Sequence, residues 1–394
     1  KKQILNSMCG IAGIYQKRIL KKDHSFMQEL QSMHELIKHR GPDGEGIWTS
    51  QDFKVGMCHR RLSIIDTSET GHQPMQALGG RFTITYNGEI YNYLELRNEL
   101  KDCFQFKTQS DTEVILASYQ KWGEGCVEHF RGMFAFVIWD ADTKTLFAAR
   151  DRFGIKPFYF HDNESRFYFG SECKAIFPYL NDKKVDLEGL KDYLAFQFCQ
   201  EGKTLFEGIR ELQPGHKLRL NDKGLSIERY WEVHYVPDFL HTSNYFEERL
   251  RDLLEDSVKY HLRSDVPVGA YVSGGLDSSA IASIASDLEG ENFLGFTGKF
   301  SFSKDYDESS YARLLCDNKG FQLHEIDITD QDFINSINKV IYHLDYPVAG
   351  PGSFPQYMVS GLASKYRKVV LGGQGGDEIF GGYTRYLIAY FEQC

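Results

Sequence analysis

No stretch of this chain is long and apolar enough to cross a bilayer: the longest apolar run, Met133 to Trp139, falls far short of the ~20 residues a spanning helix needs. Cys-x-x-Cys pairs are also missing. The eight cysteines (9, 58, 103, 126, 173, 199, 316 and 394) are scattered, which excludes a zinc knuckle or a disulfide framework and suits a reducing cytoplasm. Positive charge is in short supply. With a net charge of −10 and no lysine- or arginine-rich face, the chain has no general attraction to nucleic acid. There is no internal repeat and no low-complexity tract. Residues 1–7 lack the apolar core and cleavage motif of a secretory signal, and they read as a leader or cloning scar because the chain does not open on methionine. What remains is 394 residues, 42% hydrophobic and 14% aromatic, enough for two or three domains with packed cores.

Val266–Ala285 organises the second half. Val266 to Val272 reads as a short buried strand, Ser273-Gly274-Gly275-Leu276-Asp277-Ser278-Ser279 as a turn, and Ala280 to Ala285 as the small apolar face of a helix. Such a junction aims backbone N–H groups and a positive helix end at an anion. Glycines let a phosphate approach, serines add donors, and Asp277 can hold a bridging cation. The lysine of G-x-x-x-x-G-K-S/T is absent, which disfavours an ordinary P-loop NTPase. A plain strand-to-helix turn is the bland alternative. The seven residues together resemble the pyrophosphate-loop ATP-pyrophosphatase family, whose members adenylate a substrate and release pyrophosphate.

The first half carries an ordered series: Met8-Cys9-Gly10-Ile11, His39-Arg40-Gly41-Pro42-Asp43-Gly44, His59-Arg60-Arg61-Leu62-Ser63, Tyr86-Asn87-Gly88-Glu89, Ser110-Asp111-Thr112-Glu113, Arg131 to Asp140, and Arg150-Asp151-Arg152-Phe153-Gly154-Ile155-Lys156-Pro157. In order and spacing it resembles the class II glutamine amidotransferase domain, an α+β N-terminal-nucleophile sandwich of stacked antiparallel sheets. The match runs from Met8 to about Thr204.

Hydrolysing a side-chain amide needs a nucleophile, a base and donors for an oxyanion. A cysteine at a chain's own N-terminus carries thiol and base together, because a free α-amine titrates at about pH 8. The resemblance implies that Met8 is removed and that Cys9 attacks glutamine. Asn87 and Gly88 would form the oxyanion hole, Arg61 would pair with the α-carboxylate, and Glu89 and Asp111 would hold the α-ammonium. Each has an ordinary alternative. Asn-Gly is a hairpin turn signal, Ser110-x-x-Glu113 is a capping box, and Arg61 or Asp111 alone suits a surface ion pair. Metal sets drawn from Cys58, His59 and His72, or from Cys126 and His129, close no zinc pattern. With 1–7 and Met8 still in place Cys9 has no free amine, so glutaminase activity is expected only after their removal.

Past Thr204 the character shifts. Residues 205–242 read as linker strands, with Lys217 to Leu220 alternating like an exposed strand. A second domain, 243–394, opens with a helix whose Leu250, Leu253, Leu254 and Val258 face a core. It reads as an α/β doubly wound, mainly parallel sheet. Its strand at Lys368–Leu371 delivers Gly372-Gly373-Gln374-Gly375-Gly376-Asp377, a loop too rich in glycine for an ordinary turn. Asp377 could share magnesium with Asp277, although either alone suits a helix cap.

Together the halves resemble the glutamine-hydrolysing asparagine synthetase family. ATP would then be held by Tyr271, Ser273, Gly274, Gly275, Asp277, Ser278, Ser279, Gly298, Gly372 and Gly373, with Mg2+ on Asp277 and Asp377. Ammonia would pass between the sites through an apolar passage to an acyl-adenylate, aspartate being the leading acceptor. Substrates are small molecules, no nucleic acid or membrane is expected, and a homodimer stays open. Two departures stand out. The family usually has Ser-Gly-Glu-Gly where this chain has Gln374 at the catalytic position, and its synthetase domain continues beyond residue 394. The first favours a different carboxylate, such as a sugar acid or a peptide. The second, with the blocked Cys9, favours a non-catalytic glutamine- or nucleotide-binding relative.

Overall fold

A computed structural model describes residues 8–18, 24–302, 305–347, 350 and 352–393. The chain divides into two compact units, one of Ser7–Val236 with Ile341–Gly350, the other of Pro237–Val340 with Pro351–Cys394.

In chain order the first unit holds β1 (Gly10–Gln16), α1 (His24–Leu36), β2 (Gly44–Thr49), β3 (Val55–Arg61), β4 (Met75–Ala77), β5 (Phe82–Ile90), α2 (Tyr93–Leu100) and α3 (Asp111–Trp122). Then follow β6 (Gly132–Asp140), β7 (Thr145–Arg150), β8 (Tyr159–Asp162), β9 (Arg166–Gly170), α4 (Leu187–Phe196), β10 (Arg210–Glu211), β11 (His216–Asn221) and β12 (Gly224–Arg229). Two antiparallel sheets result, ordered β10-β8-β9-β1-β3-β2 and β12-β11-β7-β6-β5-β4.

Strand alternation makes the layers. On β1, Ile11 and Tyr15 enter the core between the sheets, while Ala12 and Ile14 pack with Phe26, Leu30 and Met33 of α1. On β6, Ala135, Val137 and Trp139 enter the shared core; Phe134, Phe136 and Ile138 meet the α2–α3 side. Both faces of these strands are therefore buried, which explains continuous apolar runs where a half-exposed strand would alternate. The result is helix, sheet, sheet, helix.

The strands within 205–242 belong to the sheets of the first unit, which extends to Val236. β10 joins the first sheet, and β11 pairs with β7 on one side and β12 on the other. Leu218 and Leu220 are buried in the shared core, so the expected exposed strand is an interior one. Alternation reports which faces are covered and says nothing about the strand's edges.

The second unit holds α5 (Ser243–His261), β13 (Val268–Tyr271), α6 (Leu276–Glu289), β14 (Leu294–Lys299), α7 (Ser309–Lys319), β15 (Gln322–Asp327), α8 (Asp330–Leu344), α9 (Ser353–Ala363), β16 (Val369–Leu371), α10 (Gly376–Phe380) and α11 (Thr384–Gln393). Its sheet is parallel, in the order β15-β14-β13-β16. Ala282 and Ala285 of α6 and Ala312 and Cys316 of α7 pack in one apolar cluster, Phe354, Val359 and Ala363 of α9 in another. Winding proceeds from β13 to β15 and then returns to place β16 on the far side of β13. The loops after β13 and β16 thus flank the reversal point, where ligands of open α/β sheets bind. On α5 only Val258 is buried, and Leu250 and Leu253 are 38% and 49% exposed, contrary to the expected core-facing stripe.

Candidate functional site

Cys9 stands half-buried at the head of β1. Its sulfur accepts from the Leu62 N–H at 3.3 Å, and the thiol lies 3.5 Å from the Leu62 carbonyl. Burial pushes the thiol up, while the Leu62 contact and the charges of Lys156, Arg40 and Arg61 pull it back. Arg40 fixes the nucleophile's backbone: its Nε donates to the Cys9 carbonyl at 2.9 Å and its Nη1 to Glu172 Oε1 at 2.9 Å. His39 meets the same carboxylate oxygen at 2.8 Å. Lys174 pairs with Glu172 and also with Asp345 at 2.6 Å, and Asp345 accepts from the Cys173 N–H at 2.6 Å.

Glu172 is thus one buried carboxylate between two cations, Arg40 and Lys174, with His39 as a further hydrogen-bond partner. Burial alone would raise it, but the His39 bond and the charges of Arg40 and Lys174 hold it well below the usual range. Removing one partner of a buried ion cluster strands the others, so Glu172→Gln should lower the unfolding free energy by about 3–5 kcal/mol. Because the folded-state value is depressed, this contribution is complete above the ordinary value of 4.5 and is lost as pH falls further. Urea unfolding of the two proteins at neutral and acid pH checks this; an equal deficit at both would contradict it.

Asn87, Gly88 and Glu89 lie inside β5, paired with Ala135, Phe134 and Met133 of β6, which rules out the hairpin-turn reading of Asn-Gly. Asn87 is 1% exposed, and its Nδ2 is buried with no hydrogen-bond partner. A buried amide donor without an acceptor is costly and uncommon, and it needs a reason. A Cβ on Gly88 would run into the Met133 carbonyl and lie 2.7 Å from Phe134 Cα, so only glycine lets the two strands meet here. Burial pushes the Glu89 carboxyl up to about 7, with Lys156 opposing and Asp111 adding to the rise.

Asp111 opens α3, where Ser110 Oγ accepts from the Thr112 N–H at 3.2 Å. The expected capping box is only half formed. Glu113 instead accepts from the backbone of Lys107 and Thr108, at 2.9 and 2.8 Å, because the incoming chain curls across its carboxylate. Asp111 Oδ2 takes the Tyr86 hydroxyl at 2.8 Å and the Ile90 N–H at 3.0 Å, and burial raises it to about 6. The surface-salt-bridge reading therefore fails for Asp111. Arg61 Nη1 donates to the Ser68 carbonyl at 2.8 Å and Nη2 to that of Asp66. Arg61 and Lys156 act on Cys9, Lys156 faces Glu89, and Glu89 faces Asp111, so these groups are close enough to influence one another.

Arg40, Tyr86 and Lys156, to which the motifs assign no role, act on the same groups. The motif Arg150–Pro157 has a clear physical logic. Asp151 Oδ1 and Oδ2 accept from the N–H groups of Phe134, Phe153, Ile155 and Lys156, winding a tight turn that ends in Lys156, 6% exposed. A lysine between Ile155 and Pro157 was the available signal.

In the second unit Gly274 takes φ +94°, and Ser273 and Ser278 hydroxyls meet at 2.9 Å across the loop. Gly275 precedes α6 as an N-cap without a side-chain bond. The loop after β16 packs onto this first turn. A Cβ on Gly373 would lie 2.6 Å from Ser278 N, and one on Gly376 would clash with the Asp277 carboxylate. The two glycine-bearing loops are therefore brought together, with Ser279 in α6 and Gly372 beside the Gln374 side chain, which is exposed.

Tyr271 and Gly298 are the other two residues expected at the nucleotide. The Tyr271 hydroxyl meets Ser360 Oγ at 2.7 Å, and a Cβ on Gly298 would lie 2.7 Å from Ile328 Cδ1. Asp277 and Asp377 lie within their helices after glycine N-caps, so neither is a cap. Among the described residues no group of three metal-ligating side chains forms, and no helix is long and apolar enough to cross a membrane. Cys58 and Cys126 are buried core thiols.

Comparison with known proteins bears on both units. The family model described as glutamine amidotransferase domain matches residues 8–231, and that described as asparagine synthase matches 249–394. Glutamine-hydrolysing asparagine synthetase 1 of Bacillus subtilis (strain 168) is 38% identical over 96% of this chain, and synthetase 3 of that organism is 36% identical over 98%. A Gibberella zeae protein named amidase chry2 is 32% identical over 96%. The chain spans 59%, 65% and 60% of the lengths of these relatives.

Proposed function

Since the chain belongs to the glutamine-hydrolysing asparagine synthetase family, we propose that it takes nitrogen from glutamine at Cys9 and delivers it to an adenylated carboxylate, aspartate first among the candidates. In the first step the thiol passes its proton to the Cys9 α-amine and adds to glutamine Cδ. The amide nitrogen leaves as ammonia, taking its proton from the Cys9 α-amine, and water releases glutamate from the thioester. In the second, a carboxylate oxygen displaces pyrophosphate from ATP, and ammonia then displaces AMP.

The observation that carries the reading is the Nδ2 of Asn87, a buried donor with no partner among the described residues, two residues before Glu89 on β5. An oxyanion formed on substrate would complete it. For the nucleotide, support comes from two glycine-bearing loops keyed together at the sheet's reversal point. Asp277 and Asp377 fit magnesium as hard oxygen donors, no hydrogen bond or ion pair tying either carboxylate among the described residues. Magnesium would neutralise charge on the phosphates.

Turnover of glutamine, ATP–magnesium and aspartate by the whole protein processed to Cys9 tests this, reading glutamate, AMP and asparagine together. ADP in place of AMP would overturn the adenylation half, and intact glutamine the first half. A second acceptor has a specific ground, since Gln374 is neutral where the family carries a carboxylate and one relative is named an amidase. Pyrophosphate release across sugar acids and peptides discriminates.

Glutamine binding should also depend on pH. Glu89 and Asp111, raised to about 7 and about 6, must be ionised to hold an ammonium. Raised carboxyls are charged above those values and neutral below them, so KM for glutamine should be flat above about pH 7.5 and climb by up to about tenfold per unit beneath 7. A KM constant from pH 8 to 5.5 would contradict this role.

A further inference from the structure

Lys156 has a buried charge that none of these roles uses. Its backbone is held on both sides: the N–H donates to Asp151 Oδ2 at 3.0 Å, and the carbonyl accepts from Arg150 Nε at 2.8 Å. The side chain therefore has a fixed root. A buried ammonium normally ends on carboxylates or carbonyls, because stranding it is costly. Here Nζ donates to the thioether of Met8, 3.4 Å away, one of the weakest side-chain acceptors.

The charged groups facing Lys156 are Glu89 from β5, Cys9 from β1, Arg40 from the turn after α1, and Asp151 from its own turn. Arg40 and Arg61 also act on the Cys9 sulfur, but their guanidinium groups are already committed, to Glu172 and the Cys9 carbonyl in one case and to the Asp66 and Ser68 carbonyls in the other. Among the described residues the one hydrogen bond of the Lys156 ammonium goes to a group that processing would remove.

We propose that Lys156 is a positioning residue for the nucleophile: once Met8 leaves, its ammonium faces the space beside the freed α-amine and the thiol and drives the first proton off that pair. This rests on the reading of Cys9 as an N-terminal nucleophile. The effect does not depend on which atom of the pair keeps the remaining proton. A nearby cation disfavours an ammonium and favours a thiolate, so both forms of the singly deprotonated pair gain relative to the fully protonated one. The same charge opposes the rise of Glu89, which keeps that carboxylate available to substrate.

The test compares Lys156→Met, Lys156→Arg and unaltered protein, all processed to Cys9. Two profiles are read against pH: the rate of iodoacetamide alkylation at Cys9, followed by mass spectrometry of its peptide, and kcat/KM for glutamate release. Lys156→Met should move the acid limb of both upward by about one unit, and Lys156→Arg should restore it. Among the described residues the Lys156 ammonium makes no ion pair and only a thioether accepts from it, so Lys156→Met breaks no carboxylate bond and should fold; Lys156→Gln, also uncharged, should give the same shift.

A purely structural lysine would lower amplitude without moving the limb. Superimposable alkylation profiles for the unaltered and Lys156→Met proteins would therefore overturn the proposal. Failure of the unaltered protein to release glutamate would instead overturn the nucleophile reading, and the alkylation profiles would still decide on Lys156.

Discussion

In protein processed to begin at Cys9, Cys9→Ala should abolish glutamate release, a loss of about 10^4-fold or more in kcat, and protein that retains Met8 should be equally inert. The two defects have different causes. Alanine removes the sulfur that must bond to Cδ. Met8 leaves the sulfur in place but ties up the nitrogen that should take its proton, and burial then keeps the thiol in its unreactive protonated form. Synthesis supported by added ammonium should survive in both, because exogenous nitrogen bypasses the first step. Timed glutamate release and AMP formation on the same samples separate these outcomes. More than about 1% residual glutaminase in Cys9→Ala would remove the cysteine from the chemistry.

Asn87→Ala should cost about 10^2–10^3-fold in kcat for glutamate release, with KM little changed. Among the described residues the amide donates to nothing, so in the proposed role its hydrogen bond forms with the developing oxyanion and not with folded neighbours. Its removal should therefore leave the melting temperature unchanged or slightly raised, since a stranded buried donor is a burden on the fold. A structural asparagine would show the reverse pattern, with a fallen melting temperature and a modest change in rate. Calorimetry beside steady-state kinetics decides between them.

Much of this was legible in the chain. Apolar runs at 10–16 and 133–139 mark strands covered on both faces, and the small-residue helix after Ser279 marks the junction that meets the second glycine loop. Cys9, Arg61, Glu89 and Asp111 could be proposed as one site because their motifs, in order and spacing, resemble the class II glutamine amidotransferase domain. What stayed hidden depends on edges and approach. Leu218 and Leu220 look like half of an exposed ladder until β7 and β12 are seen on either side. Ser110-x-x-Glu113 satisfies a capping box on paper, but the backbone of Lys107 and Thr108 arrives first. Lys156 carries no role of its own in the motif as read from sequence: its apolar neighbours hint at burial, but the Asp151 bond that holds its backbone appears only in the fold.

The ion cluster behind Cys9 also bears on how the gene can be dissected. Asp345, which completes the pairing of Lys174, belongs by number to the second half of the chain and by contact to the first unit. An expression boundary placed near residue 236 would yield a glutaminase piece with Lys174 missing its aspartate and Cys173 missing the acceptor of its N–H. Adding 341–350 as a separate peptide would address both losses at once, turning domain complementation into a measure of what that short segment contributes.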